Sequence, residues 1–592
     1  MNKKLDRIII LLCFSITIMI GWFMSQEKLW RHLPLFLFLS FWIGFVLLVD
    51  VYILKHQNSK KILVLTAFSS LLLSLGYPPY GLTPLLFIGF VPLFYLENYC
   101  NKLKINSTFY IYNAFVLWNI YDTYWVANAA LIPGIVAIWL NAFFMLVPWY
   151  ASMKVGKLIP RLRGVAFICF WICLEYLHLN WEISWPWLNL GNAWSAIPSF
   201  IQWYEITGTF GGSLWILLVN VLIYSWIVKD YSFSTSTVWN FIKSKRLYLS
   251  YLFLLITLPI VISLIRYNTF IANGKYGEVC LVQPNYEPHY EKFVVPEIDQ
   301  INRLGRLAEI AINKETKFIV FPETSFGDSG GPIRTDKISS DNRIILLYDF
   351  IESHFNIPIV MGVTTINYLA EGSAPTPYTR VNPRTKTAYE IGNSAIILKD
   401  RSEKVPLYNK SKLVPGAEIF PYSKFLPFLN PIVDILGGSK EGLVRQKERQ
   451  VFESKGYVIA PVICYESIYG DYMRDYILKG AQAICIMTND GWWDDTPGYK
   501  QHMAYSKLRA IEFRKPVFRS ANTGITCFID SKGDLTKSIG YGVHSAISQG
   551  VSFNDEISFY AKYGDFIAVI ALVLAILIVL VSLYSSIFQA KS

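Results

Sequence analysis

Charge is scarce in this chain of 592 residues: Asp, Glu, Lys and Arg supply only 16% of it, against about 25% in ordinary globular proteins. With 53% hydrophobic and 16% aromatic residues, that shortage excludes a wholly water-soluble architecture. Cysteine is sparse as well. Its eight residues (Cys13, Cys100, Cys169, Cys173, Cys280, Cys464, Cys485 and Cys527) lie scattered, without CxxC pairs, which argues against a structural zinc site and a disulfide scaffold. The seven histidines form no metal spacing, and no GxxxxGK[ST] loop, HExxH helix or internal repeat is present, so phosphate-loop and zinc-protease chemistry are set aside.

What is abundant is long apolar sequence. Ten stretches approach the length needed to cross about 30 Å of hydrocarbon: Ile8–Met24, Leu33–Leu54, Ile62–Gly76, Leu82–Leu96, Phe109–Val126, Ile135–Met153, Val165–Leu179, Phe210–Val228, Leu247–Ile265 and Phe566–Phe588. No small-residue cleavage site follows the first, so it is expected as a span rather than a signal peptide. Lysine and arginine concentrate in alternate loops. With the N-terminus inside, Lys55, Lys60, Lys61, Lys102, Lys104, Lys154, Lys157, Arg161, Arg163, Lys229 and Lys243 fall on the inner side, and only Lys28 and Arg31 on the outer. Basic residues are retained on the cytoplasmic side, which accounts for much of the +11 net charge without nucleic acid. Both termini are therefore expected to be cytoplasmic, with the region after Arg266 outside.

Between Lys275 and Asn554 the pattern changes to short apolar runs alternating with polar helical stretches, Glu297–Asn313 being amphipathic. This predicts an α/β domain, whose chemistry belongs just past strand C-termini. Three such ends carry Glu323 in FPETSF, Lys410 in YNKSKLVPGAE and Cys464 in VICYES. A thiol, an ammonium that stabilises thiolate and oxyanion, and a carboxylate that shuttles the proton would form an acyl-transfer set. Spacing alone leaves plainer roles open: a helix cap, a solvated loop charge and a buried strand residue.

The words around these residues narrow the choice. FPETSF, YNKSKLVPGAE, VICYES, NDGWWDDTPGYKQH and RAIEFRKPVFRSANTGIT, in this order, resemble the nitrilase superfamily and, more narrowly, its membrane branch, the bacterial apolipoprotein N-acyltransferases. YPPYGLTPLLFIGFVPL and SWPWLNLGNAW are similar to that branch too. The resemblance implies a multi-span α-helical membrane domain (61–270), an α/β nitrilase-like αββα sandwich outside the membrane, on the periplasmic side (275–556), and a C-terminal transmembrane helix (566–588), preceded here by two extra spans (1–60) of unknown role. It implies Glu323 as general base, Lys410 as oxyanion stabiliser and Cys464 as nucleophile, with Glu418, Tyr465 and Glu466 supporting. The implied reaction takes a fatty acyl chain from a phospholipid onto Cys464 as a thioester. It then passes to the N-terminal amine of a diacylated apolipoprotein in the bacterial inner membrane. No cofactor or metal is expected. The alternative is a membrane-anchored nitrilase-type amidase with the same triad.

Two departures stand out. LVPGAE replaces the family's usual LVPFGE before Glu418, and Phe293 stands where tryptophan is common. The apolar, proline-broken segment Ile419–Gly438 is expected as a lid or membrane-dipping loop. Glu175 and Asp122 fall within spans, where an ionisable group suggests function, and Glu175 is expected to be a structural hydrogen-bonding group. The Trp181–Trp194 loop is expected as an interfacial aromatic belt and His502 as a structural histidine.

Overall fold

A computed structural model describes residues 3–56, 59–228, 245–401, 404–423 and 442–589. Most of the expected lid, from residue 424 to 438, lies outside the described residues.

Among the described residues, seven helices are long and apolar enough to cross a membrane: Leu5–Gln26, Leu33–Leu54, Leu131–Leu158, Pro160–Asn180, Thr209–Ile227, Leu247–Thr269 and Phe566–Ile587. The other three expected spans come out shorter. Ile62–Gly76 forms the helix Ser59–Leu75 and Phe109–Val126 the helix Thr108–Thr123, of 17 and 16 residues, which at 1.5 Å per residue reach about 25 Å. Leu82–Leu96 is broken into a 3₁₀ run, Thr83–Ile88, and a helix starting at Val91. Pro92 in the first turn donates no amide, and the Phe90 amide is taken by Asn220 Oδ1 at 2.8 Å, so the break is bonded from a neighbouring helix. Of these, Thr108–Thr123 is buried inside the bundle, with Tyr110, Ile111, Ala114, Phe115 and Trp118 fully enclosed, whereas Ser59–Leu75 keeps Val64, Phe68 and Leu71 exposed. An enclosed helix is apolar all round, and hydropathy does not distinguish it from a lipid-facing one.

The second half is a two-sheet sandwich. Its strands are β1 (Lys275–Gln283), β2 (Thr316–Val320), β3 (Ile333–Arg334), β4 (Ile359–Tyr368), β5 (Arg380–Val381), β6 (Ala388–Leu398), β7 (Leu407–Asn409), β8 (Phe452–Ser454), β9 (Tyr457–Ile463), β10 (Ala483–Thr488), β11 (Val517–Ala521), β12 (Thr526–Ile529), β13 (Leu535–Ile539) and β14 (Ser545–Phe553). One sheet runs β14-β1-β2-β4-β6-β5, with β3 on β4 and β7 on β6; the other runs β13-β12-β11-β10-β9-β8. Alternation along β1 and β2 explains the layering. Val279, Leu281, Phe318 and Val320 enter the core shared with Ile459, Ala460 and Ile484 of the other sheet. Cys280, Val282, Ile319 and Phe321 face the outer layer of Leu304, Ala308, Ile344 and Leu347, from the helices Glu297–Ala311 and Asn342–Ser353. On the opposite face the helices Gly470–Leu478 and Pro497–Phe513 cover the second sheet. This is the expected αββα order.

The two halves are packed together rather than tethered. Tyr465, Ile468, Tyr469, Tyr505, Leu508 and Ile511 of the sandwich belong to the same apolar cluster as Trp118, Trp171 and Trp187 of the membrane half. Polar bonds cross the joint as well: Gln501 Nε2 donates to the carbonyls of Pro78 and Asp122 at 2.9 and 3.2 Å, and Arg514 reaches Glu205 and Gln202 at 2.5 and 2.6 Å.

Candidate active site

The structure gathers Glu323, Lys410 and Cys464 beyond the ends of β2, β7 and β9. Lys410 lies between two carboxylates, its Nζ 2.9 Å from Glu323 Oε1 and 2.8 Å from Glu418 Oε1. Asn393 of β6 donates to the same two oxygens at 2.8 and 3.1 Å, and the Val414 amide holds the other Glu418 oxygen at 2.8 Å. Cys464 adjoins this pair, Glu323 and Lys410 being the charges that act most strongly on its thiol. Cys464 and Thr324 both sit in the left-handed region, at φ +49° and +45°, which costs about 1 kcal/mol or more for a side chain other than glycine.

Electrostatics sets the resting protonation. Burial would raise the Glu323 carboxyl, but the adjoining Lys410 ammonium outweighs it and holds the group below its ordinary value. Burial would lower Lys410, and Glu323 with Glu418 more than reverse that. Burial pushes the Cys464 thiol far up, Glu323 adds to the effect and Lys410 only partly opposes it. The resting cysteine is therefore a thiol beside an ionised carboxylate. The Lys410 ammonium lowers the thiol, but by less than burial and Glu323 raise it. Such an arrangement suits proton removal by Glu323 as sulfur attacks, with Lys410 ready for the oxyanion.

The supporting residues divide by what they touch. Glu466, fully buried, accepts hydrogen bonds from Tyr408 Oη (2.7 Å), Tyr472 Oη (2.5 Å), the Ser411 amide (2.7 Å) and the Ile463 amide (2.9 Å). It joins the residue after Lys410 to the residue before Cys464. Tyr465 points down to the membrane half, where its hydroxyl donates to the Ser184 carbonyl at 2.9 Å and Tyr469 pairs with the Ser184 hydroxyl. Tyr465→Phe leaves that carbonyl unpaired and is expected to cost about 1–3 kcal/mol, visible as a lower unfolding midpoint in detergent.

The Trp181–Trp194 loop is not an interfacial belt. Trp187 and Trp194 are wholly buried, and Trp187 stands against Tyr505 and His502 with ring centroids 5.4 and 5.9 Å apart. Glu175 takes the structural role expected: its oxygens accept from Ser213 Oγ, the Leu190 amide and Trp171 Nε1 at 2.6, 2.8 and 3.1 Å, which pins this loop to the bundle. Asp122 is buried with neither carboxylate oxygen in a hydrogen bond.

Sequence reading passed over two features. Asn393 had only the signal of an amide inside the apolar run NSAIILKD. Beneath the cysteine turn lies a cluster of Asp490, His502 and Arg519, each fully buried. Asp490 accepts from Arg519 at 2.6 Å and lies 3.0 Å from His502 Nδ1, and His502 Nε2 faces the Cys464 carbonyl at 3.2 Å. Burial would raise Asp490, but Arg519 and His502 keep it below the carboxylate range. Reserving a structural role for His502 agrees with this geometry, although the lone-histidine argument did not supply its partners. No cluster of metal-ligand type occurs among the described residues.

A cavity of about 300 Å³ adjoins the Glu418 loop, walled by Ile132, Pro133, Val136 and Phe144 of one membrane helix and by Val414 and Pro415. Its lining is almost entirely apolar, and Ser184, the partner of Tyr465, forms part of it.

Comparison with known proteins agrees with this layout. The apolipoprotein N-acyltransferase N-terminal domain model matches residues 69–222, and the carbon-nitrogen hydrolase model matches residues 281–549; the hairpin of the first two helices precedes both. The apolipoprotein N-acyltransferase of Chlorobaculum tepidum is 26% identical over 88% of this chain and 96% of that protein, and that of Geobacter metallireducens 26% identical over 85% and 92%. A solved structure of Saccharomyces cerevisiae Nit3, a member of the nitrilase superfamily, covers 48% of this chain and 92% of its own at 16% identity and TM-score 0.32. The two family models fall in order on the bundle and the sandwich, and the chain is similar to apolipoprotein N-acyltransferases along most of its length.

Proposed function

We propose that the chain transfers a fatty acyl chain from a membrane phospholipid, through a thioester on Cys464, to the N-terminal amine of a diacylated apolipoprotein. The observation that carries this reading is the Lys410 ammonium held between Glu323 and Glu418, with the Cys464 thiol under the influence of both charges of the pair, on a sandwich that shares its core with a membrane bundle. Glu323 accepts the thiol proton as sulfur attacks the ester carbonyl. Lys410 stabilises the tetrahedral oxyanion, and the proton passes to the lysophospholipid alkoxide as it leaves. In the second half Glu323 takes a proton from the attacking amine, and the thiolate departs and is reprotonated. Tyr465 and Glu466 act by holding the nucleophile turn, Glu418 by holding Lys410. The apolar cavity beside the Glu418 loop offers a water-poor place for an acyl chain, as transfer to an amine in preference to water requires.

A periplasmic placement is supported by the turns that meet the sandwich. Arg31, Pro78, Asn128, Ser184 and Glu205, from successive turns of the bundle, all touch it or its partners, and those turns hold few basic residues, while the loops at the other end hold many. This topology requires the three shorter segments to traverse the bundle as well, and it leaves both termini cytoplasmic.

The test is to incubate the purified protein with phospholipid carrying a labelled acyl chain, then to analyse the Cys464 peptide by mass spectrometry with and without a diacylated lipopeptide. A labelled thioester that is discharged onto the lipopeptide amine is expected. No thioester, discharge to water alone, or acylation by a Cys464→Ala variant would overturn the proposal. Discharge to water alone is also what an amidase would give.

A further inference from the structure

The hairpin formed by the first two helices precedes both matched regions, yet its outer turn makes specific contacts with the sandwich. The Arg31 amide donates to Asp494 Oδ2 at 3.1 Å. Asn128 Nδ2 bridges the carbonyls of Arg31 and Trp493 at 3.0 and 3.1 Å. Lys28 lies over the Tyr290 ring at 5.4 Å, and His289 Nε2 faces the Asn128 carbonyl at 3.1 Å. The turn thus reaches two loops of the sandwich at once.

Each of those loops leads to the triad by a short chain of bonds. In the first, the Asp494 amide bonds the Gly491 carbonyl at 3.0 Å and the Thr496 amide the Asp494 carbonyl at 2.8 Å, making 490–496 a tight unit. Asp490 opens that unit and holds His502, which faces the Cys464 carbonyl. In the second, Lys292 follows Tyr290 by two residues, and its Nζ donates to Thr324 Oγ1 at 2.5 Å, beside Glu323. Arg31 and Asp494 both adopt positive φ, +47° and +56°, so the contact is made from two sterically costly turns.

We infer that the N-terminal hairpin is a positioning element of the active site, its Glu27–His32 turn fixing the 490–496 and 287–294 loops and through them the geometry of Cys464 and Glu323. The inference rests on the proposed acyl transfer for its kinetic readout but not for its structural one. Two variants of the full chain test it. Asp494→Gly removes the acceptor of the Arg31 amide while suiting the left-handed backbone, and Asn128→Ala removes both bridging bonds. Hydrogen exchange of the Arg31 amide and of 490–496 is expected to rise about tenfold or more in both. The rate of Cys464 thioester formation at saturating phospholipid is expected to fall about tenfold or more, since small misplacements of reacting groups are costly. KM for phospholipid and the unfolding midpoint should hold, the midpoint within about 2 °C. Unchanged exchange in both variants overturns the inference, as does raised exchange with an unchanged thioester rate, or a rate loss matched by a fall in the midpoint. Failure of the unaltered protein to form any thioester would instead defeat the proposed function, and the exchange comparison would still decide whether hairpin and loops are coupled.

Discussion

Replacing Lys410 by methionine is expected to slow thioester formation roughly a thousandfold or more, because removing even one oxyanion donor costs about 10²–10³ and this residue also holds the base in its charged form. Without the ammonium, Glu323 is a buried carboxylate joined through Asn393 to a second one, Glu418, and burial and the neighbouring negative charge both favour protonation of Glu323. The pH dependence should change in a definite direction. In the natural protein Glu323 is held below 4.5, so its contribution to stability and activity is complete above that value and is lost only as pH falls through the lower, folded-state value. In Lys410→Met the acid limb of the rate profile should move upward, toward neutrality. Single-turnover measurements across pH would check both effects. A variant with an unmoved acid limb would show that Lys410 does not govern the ionisation of Glu323.

The second large effect is one of stability. Glu466→Ala deprives four donors, Tyr408 Oη, Tyr472 Oη and the amides of Ser411 and Ile463, of their acceptor in a site closed to water. The two hydroxyls keep each other as partners, but unpaired buried donors cost about 1–3 kcal/mol each, so the two amides alone are expected to cost about 2 kcal/mol or more, a sizeable part of a typical folding margin of about 5–15 kcal/mol. Glu466→Gln should recover little, because an amide presents a donor where the carboxylate has only acceptors. The unfolding midpoint and the yield of folded protein in detergent measure this. A Glu466→Gln variant of unaltered midpoint and lost activity would mean that the carboxylate acts on substrate instead.

How much of this was readable beforehand follows from what short-range sequence encodes. Glu323 and Cys464 follow apolar runs, but Lys410 follows only the three-residue β7, and it was the resemblance carried by FPETSF, YNKSKLVPGAE and VICYES that singled out all three. Glu466 could be named from its neighbourhood to the cysteine, but its function as a tie between β7 and β9 depends on Tyr408 and Tyr472, 58 and 6 residues away, and no local pattern carries that. Asp490, His502 and Arg519 are ordinary polar residues until folding encloses them. The same limit misled the reading of the tryptophan loop: an aromatic-rich stretch beside a span looks like a membrane-interface anchor whether it meets lipid or, as Trp187 does, the underside of another domain. The break within Leu82–Leu96 was not foreseen, and the Asn220 side chain that bonds the Phe90 amide there has no local signal.

The apolar cluster that runs from Trp118 and Trp171 through Trp187 into Tyr465, Tyr505 and Leu508 has a consequence for how this molecule is built and altered. The wall under the nucleophile is contributed by the membrane half, so the sandwich is not an interchangeable module. A sandwich exchanged for that of a relative at 26% identity would meet a foreign floor beneath its cysteine. The two halves are therefore expected to change together, residue against residue across the joint, and to melt as one unit.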